Sequence, residues 1–281
     1  MRLALRWLTC AICMSAAAPF SPVLAQPQLS ANALVLTYAD LADHADSADV
    51  VVRVQVRKLI RVKDERAPGL RAGSGRFYVK AKTRALLSGN SPVGESLVYL
   101  VDLPLDSRGR APALKKKDVL VFARTVPGRE GELQLVARDA QVLHDVRVEQ
   151  TVRAILKEKL APEAPSRVTG VREIIHVPGN LAGEGETQVF LSTIDGSAAS
   201  ITVQHRPGQR IAWGASFSEL VADIGNPPRP ETLAWYRLAC FLPNAIPSAA
   251  NLSSSPADRR QALNDYRLVL GQLGACRRNR I

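Results

Sequence analysis

Aromatic side chains are scarce in this chain of 281 residues: Phe, Trp and Tyr together make up 5%. Recognition of sugars or unstacked bases by ring stacking needs exposed aromatics, so that mode is disfavoured and no specific nucleic acid is expected. Long apolar runs are missing as well, and after the first 25 residues nothing approaches the roughly 20 residues of a membrane-spanning helix. Cysteine is nearly absent, with four in all; the one C-x-x-C spacing, Cys10 to Cys13, falls within the first 25 residues, and Cys240 and Cys276 form none, which argues against thioredoxin-like redox chemistry in the rest of the chain. His144, His176 and His205 fall in no H-x-x-x-H spacing, so a zinc site would have to assemble from distant segments. The glycine-rich stretch Gly179 to Gly185 is not followed by Lys-Ser or Lys-Thr and opens no helix, which argues against a phosphate cradle. Gly214-Ala215-Ser216-Phe217-Ser218 starts like a nucleophile elbow but lacks the final glycine that lets strand and helix pack closely. No pair of carboxylates is singled out for acid–base work. No catalytic residue, metal ligand or cofactor is therefore expected.

One acidic cluster has the composition of a cation site. Asp40, Asp43, Asp46 and Asp49 surround His44, but their spacing of three spreads them around a helix, whereas hard cations want oxygens converging from a loop. The cluster reads as a solvated acidic face.

What is present begins at the N-terminus. Arg2 and Arg6 precede an apolar run from Trp7 to Ala18, and Val23 and Ala25 occupy the small-residue positions of a cleavage site. Positive start, short apolar core and small exit residue are what signal peptidase reads. The apolar run is about 12 residues against the roughly 20 of a membrane anchor. A lipoprotein reading is weakened because Cys10 precedes most of the core and Cys13 follows Ile12. Residues 1–25 are thus expected to be removed after Ala25, leaving a soluble protein in an oxidising compartment, a bacterial periplasm. Two of the four cysteines leave with the leader. The remaining two, Cys240 and Cys276, are expected to form a disulfide, as an even pair in an exported chain usually does.

The chain is basic, with 37 Lys and Arg against 26 Asp and Glu. Much of the excess lies between Arg53 and Arg84, where eleven basic residues face only Asp64 and Glu65. On strands, residues two apart share a face, so Arg53 and Arg57 on one strand and Lys80, Lys82 and Arg84 on the next form a candidate anion-binding face. Its partner would be an anionic envelope polymer or an acidic protein. A merely solvated basic face is the competing reading.

Periodicity gives the organisation. Leu34, Tyr38, Leu41 and Ala45 predict a short helix. The period then changes to two: Val50, Val52, Val54 and Val56 predict a half-buried strand, followed by strands over Arg76–Leu87, Ser96–Leu103, Val119–Arg124 and Glu132–Ala137. Residues 149–281 start with an amphipathic helix through Val152, Ile155, Leu156 and Leu160. Strands over Val171–Val177, Thr187–Ile194, Ser200–His205 and Gln209–Trp213 follow. Ser216 and Glu219 read as a capping box opening a helix, and Glu231–Leu242 and Pro256–Leu273 as two more, the last with Ser255 as N-cap and Gly274 as its end. The expected class is α+β, with residues 26–148 a five-stranded barrel domain and 149–281 an α+β domain whose C-terminal helices are stapled by the disulfide.

Four segments carry a resemblance: "ADVVVRVQV", "FYVKAKTRALLSGNSPVGESLVYLV", "LKKKDVLVFARTV" and "GELQLVARD". Their order resembles the OB-like barrel module of secreted bacterial proteins, similar in outline to the netrin and metalloproteinase-inhibitor fold. The Leu87-Ser88-Gly89 step fits it. So does Leu114 to Phe122, with Lys117 where the module usually has glycine. The match spans about 100 residues of strand pattern and includes no catalytic signature. The animal inhibitors begin with a zinc-chelating cysteine, whereas Gln26 would be the first residue here. The leading expectation is a non-catalytic binding or assembly module. A periplasmic hydrolase with an inter-domain site and an inhibitor-like barrel are the alternatives.

Overall fold

The first strand sets the architecture. In the computed structural model, which describes residues 36–90, 93–219 and 224–280, β1 (Val50–Arg61) pairs with β2 (Ser74–Ser88) on one side and β4 (Asp118–Thr125) on the other, both antiparallel. Adding β3 (Ser96–Pro104) and β5 (Glu132–Leu135) gives the order β1-β2-β3-β5-β4, and the β1–β4 pairing closes the ring. The β3–β5 contact is parallel, as the order of an OB-like barrel requires. Inward residues fill the lumen: Val52, Val54 and Val56 from β1, Phe77 and Val79 from β2, Tyr99 and Val101 from β3, Val119 and Val121 from β4. A short β6 (Gln141–Leu143), absent from the sequence reading, continues the sheet beside β4. Three residues are too few to show a period.

Strands β1 and β4 are buried on both faces where they begin the ring. Val51, Leu120 and Phe122 point away from the lumen into a second core, which is why "VVV" and "VLVFA" read as unbroken apolar runs rather than alternations. That second core is built with α1 (Tyr38–Ser47), α2 (Val146–Lys159), an antiparallel sheet and the C-terminal helices. The sheet has the order β10-β9-β8-β7, from β7 (Val168–Pro178), β8 (Gly185–Thr193), β9 (Ser200–His205) and β10 (Ala212–Ser216). Helices α3 (Leu233–Ala239) and α4 (Pro256–Leu273) complete it. Helix α4 has the predicted limits: Ser255 and Asp258 form a capping box, and Gly274 ends it at φ 72°. Among the described residues no helix is long and apolar enough to cross a membrane.

Three expectations need correction. Ser216 opens no helix within the described residues: it is the last residue of β10, and its hydroxyl accepts the Ser218 N–H at 3.2 Å. Most of the helix expected there, residues 220–223, lies outside the described residues. Helix α3 begins at Leu233 and not Glu231, because Glu231 has φ 58° and Thr232 supplies the cap.

The third correction concerns the acidic face of α1, which is not solvated. Asp40 is buried and closes a capping box with Thr37; it also accepts the backbone N–H groups of Asn279 at 3.0 Å and Arg280 at 3.2 Å. Asp43 accepts Arg278 Nε at 2.7 Å and Tyr236 Oη at 2.5 Å. Asp46 holds the buried Arg237, with Nη2 to Oδ1 at 2.9 Å. Only Asp49 is exposed. The acids are docking points for α3 and for the C-terminal tail. The Cys240–Cys276 disulfide, with its Cα atoms 5.0 Å apart, ties the end of α3 to the start of that tail.

Candidate functional site

The five predicted anion-binding residues do not form one row. Regular alternation in β1 and β2 is interrupted by register shifts between Val51 and Val52, Arg53 and Val54, and Val56 and Lys58. These leave Arg57 on β1 and Arg84 on β2 without a partner across the ladder, as bulge residues. Arg53 is spoken for. Its Nη1 lies 3.1 Å from Glu149 Oε2, and the same carboxylate takes His144 Nε2 at 2.7 Å and Arg153 Nε at 2.9 Å. Burial alone would raise the pKa of Glu149, but these donors and the two guanidinium charges outweigh it and hold the carboxyl below its ordinary range. Arg53 therefore fastens the barrel wall to α2. Arg84 Nε stands 3.9 Å from Asp118 Oδ1, and Lys82 Nζ 2.7 Å from Glu95 Oε1.

Lys80 stands directly across the β1–β2 ladder from Lys58, and both are exposed. Beside them runs the turn Lys115-Lys116-Lys117. It is fixed to β1 by Lys116 N–H to Val56 O at 2.8 Å and Val56 N–H to Lys117 O at 2.9 Å. The glycine-like position in this turn is Lys116, at φ 67°, and not Lys117. The half of the wall around Val51 and Leu120 is covered by helices, so the open end of the wall is this lysine-rich one. Lys58 and the Lys115–Lys117 turn were not selected from the sequence. Three consecutive lysines where the module wants glycine were the available signal.

A second feature is a cleft of about 700 Å³ between β3 and β5, with Tyr78, Leu100 and Gln134 among its lining and Arg129 and Arg138 at its rim. Arg76 crosses one wall of it in a two-pronged pair with Asp102, at 2.6 and 2.9 Å, and these bonds keep the Asp102 carboxyl below its ordinary range despite partial burial.

A third feature is a buried polar cluster in the second sheet. Asp265 of α4, 1% exposed, accepts His205 Nε2 at 2.8 Å, Gln261 Nε2 at 2.9 Å and the Thr187 hydroxyl. Because that hydroxyl donates to Asp265, His176 must donate to it from Nδ1, at 2.8 Å, which sets the His176 tautomer. Burial pushes the His176 pKa down, against the pull of Asp265. A Cβ on Gly185 would come within 2.8 Å of the His176 ring, so the hairpin leaves just the room the imidazole needs. His–Asp pairs serve acid–base catalysis when a nucleophile stands next to them. Here the Ser253 hydroxyl accepts the His176 backbone N–H at 2.9 Å, and the Ser216 hydroxyl bonds to Ser218. The cluster fastens α4 across β7, β8 and β9. Among the described residues no three His, Cys, Asp or Glu side chains converge to hold a metal ion. No protein-family model matches the chain, and no curated protein matches it in sequence.

Proposed function

We propose that this is a non-catalytic binding or assembly protein of the bacterial envelope, exported with its leader removed after Ala25. Its lysine-rich barrel end would be held to an anionic polymer or an acidic protein. One observation carries the reading: Lys58 and Lys80 face each other across an antiparallel ladder, and among the described residues no carboxylate pairs with either. Like charges directly opposite destabilise a strand pair. The adjacent turn holds Lys116 in a left-handed conformation that costs a non-glycine residue about 1–2 kcal/mol. An anion seated between these ammonium groups would relieve the repulsion. The closed barrel with flanking helices supports kinship with the secreted OB-like modules that resemble netrin, a class of barrel that commonly works by surface binding. An inhibitor role gains nothing from Gln26, which has no thiol to chelate zinc.

The test is retention of the full chain on a polyglutamate matrix. Exposed charges are screened beyond about 8–10 Å at ordinary salt, so elution should come at moderate salt, and earlier for the Lys58→Glu, Lys80→Glu, Lys82→Glu variant. Elution of variant and parent at one salt concentration would reduce the wall to a solvated face. Independently, the exported protein should begin at Gln26 on N-terminal sequencing; a lipidated start at Cys10 or Cys13 would sink the soluble reading.

A further inference from the structure

The barrel is closed unevenly. Strand β3 is matched along its whole length by β2, from Ser74↔Pro104 to Lys82↔Ser96, but β5 meets it only at Val98 and Tyr99. Beyond Tyr99 the two strands part, and the cleft of about 700 Å³ lies in the gap. Two backbone bonds give the phase of the ladder. Val98 donates its N–H to Gly131 O on the β5 side at 2.8 Å, whereas Leu105 donates to Gly73 O on the β2 side, also at 2.8 Å. Backbone groups alternate sides along a strand, so those of Asp102 point into the gap. Among the described residues no strand lies across from them. Pro104, next in phase, has no N–H to offer, in keeping with an edge position.

An unpaired strand edge beside apolar walls is a template for a further strand. Here the inner wall is Tyr99, Val101 and Leu133, all buried residues that line the cleft. Charge narrows the occupant. Of the arginines on the cleft, Arg76 is taken by Asp102, and Arg129 by Glu132 at 3.2 Å. Arg138 is exposed and, among the described residues, has no carboxylate within ion-pair distance. One cation at the rim is thus left over.

We infer that the cleft takes an extended acidic peptide, added as a strand to the free edge of β3. Its backbone would pair with Asp102, apolar side chains at alternate positions would turn toward Val101 and Leu133, and a carboxylate would sit against Arg138. At about 3.3 Å per residue, the edge from Leu100 to Pro104 accommodates roughly five residues. This inference stands apart from the lysine wall, which shares strand β2 with the cleft but none of its lining residues, and either can fail without the other.

A dodecapeptide display library panned on the full chain tests it, with the enriched peptides then synthesised. The expected peptides alternate apolar and acidic residues. Methylating the backbone nitrogens on their pairing edge should weaken binding roughly tenfold or more, the factor that corresponds to losing one or two net hydrogen bonds. Arg138→Glu should weaken it comparably, while Arg138→Lys should restore most of it; both change an exposed side chain and leave the fold intact. Exchange of the Asp102 amide hydrogen should slow in the complex. Failure to enrich any peptide, equal affinity of the N-methylated forms, or indifference to Arg138→Glu would overturn the inference. Binding of a neutral oligosaccharide such as chitohexaose in the cleft, with no peptide enriched, would replace it with a glycan site.

Discussion

Replacing His44 by Phe should remove a large part of the acid sensitivity of this protein. His44 lies on α1 at 1% exposure, its ring stacked on Phe122 with centroids 5.1 Å apart. Among the described residues neither ring nitrogen has a hydrogen-bond partner. Asp139 is the nearest carboxylate, at 3.8 Å, and it is already engaged by Arg280 Nε at 2.8 Å. Burial, helped by the Arg280 charge, pushes the His44 pKa from 6.5 down to about 4, against the opposing pull of Asp139, Asp43 and Asp40. An unfolded chain binds a proton at this imidazole near pH 6.5, whereas the folded one refuses it until about pH 4. Across that window the unfolded state holds more protons, so stability falls as the pH falls, and above about pH 7 nothing is lost. A gap of roughly 2.5 pH units at about 1.4 kcal/mol each amounts to about 3.5 kcal/mol. His44→Phe keeps a flat ring against Phe122 and cannot be protonated. Urea unfolding followed by fluorescence of the buried Trp213 and Trp235, at pH 7 and pH 4.5, should show the parent losing about 2–3 kcal/mol more than the variant. Carboxylates held below their ordinary range, Asp40 among them, contribute losses at still lower pH, and the difference between the two proteins cancels the terms they share. Equal pH slopes in parent and variant, or a His44 resonance titrating near pH 6.5 in the folded protein, would refute the reasoning.

Two further perturbations test how the C-terminal third is held. The Cys240–Cys276 bridge spans 36 residues, for which the chain-entropy model assigns about 4 kcal/mol; at about 2–4 °C per kcal/mol, the Cys240→Ala, Cys276→Ala variant should melt roughly 8–16 °C lower. A drop under about 3 °C in a calorimetric scan would mean that the bridge restrains little in the unfolded chain. Asp46→Ala strands the buried Arg237 without its carboxylate and should cost about 3 kcal/mol in urea unfolding, while Asp46→Leu with Arg237→Met should recover much of it. A loss below about 1 kcal/mol for the single variant would show that water reaches Arg237 and replaces the pair.

What could be read from the chain alone is whatever one stretch of backbone settles for itself. The valine alternation of β1, the limits of β9 and α4, the Ser255 cap and the Gly274 stop all follow from side-chain period, capping chemistry and left-handed glycine, which act over a few residues. The pairing of Cys240 with Cys276 was legible because no other cysteine remains after the expected cleavage. The acids of α1 show where that reasoning ends. Their spacing told correctly that they occupy different sides of a helix, but not that Arg237, Arg278 and the Asn279 backbone would come to meet them from nearly 200 residues away or more. In the same way Arg53 looked like a free cation until α2 delivered Glu149, and His176, His205 and Asp265, which share no motif, met only when α4 crossed the second sheet. The bulges at Arg57 and Arg84 likewise depend on how two strands align, since either strand alone is compatible with regular alternation. Local conformation is decided by steric and hydrogen-bonding preferences that each residue carries with it. Which charge is satisfied and which is left to bind is decided by the partner that tertiary packing brings within about 3 Å, and no window of sequence contains that partner.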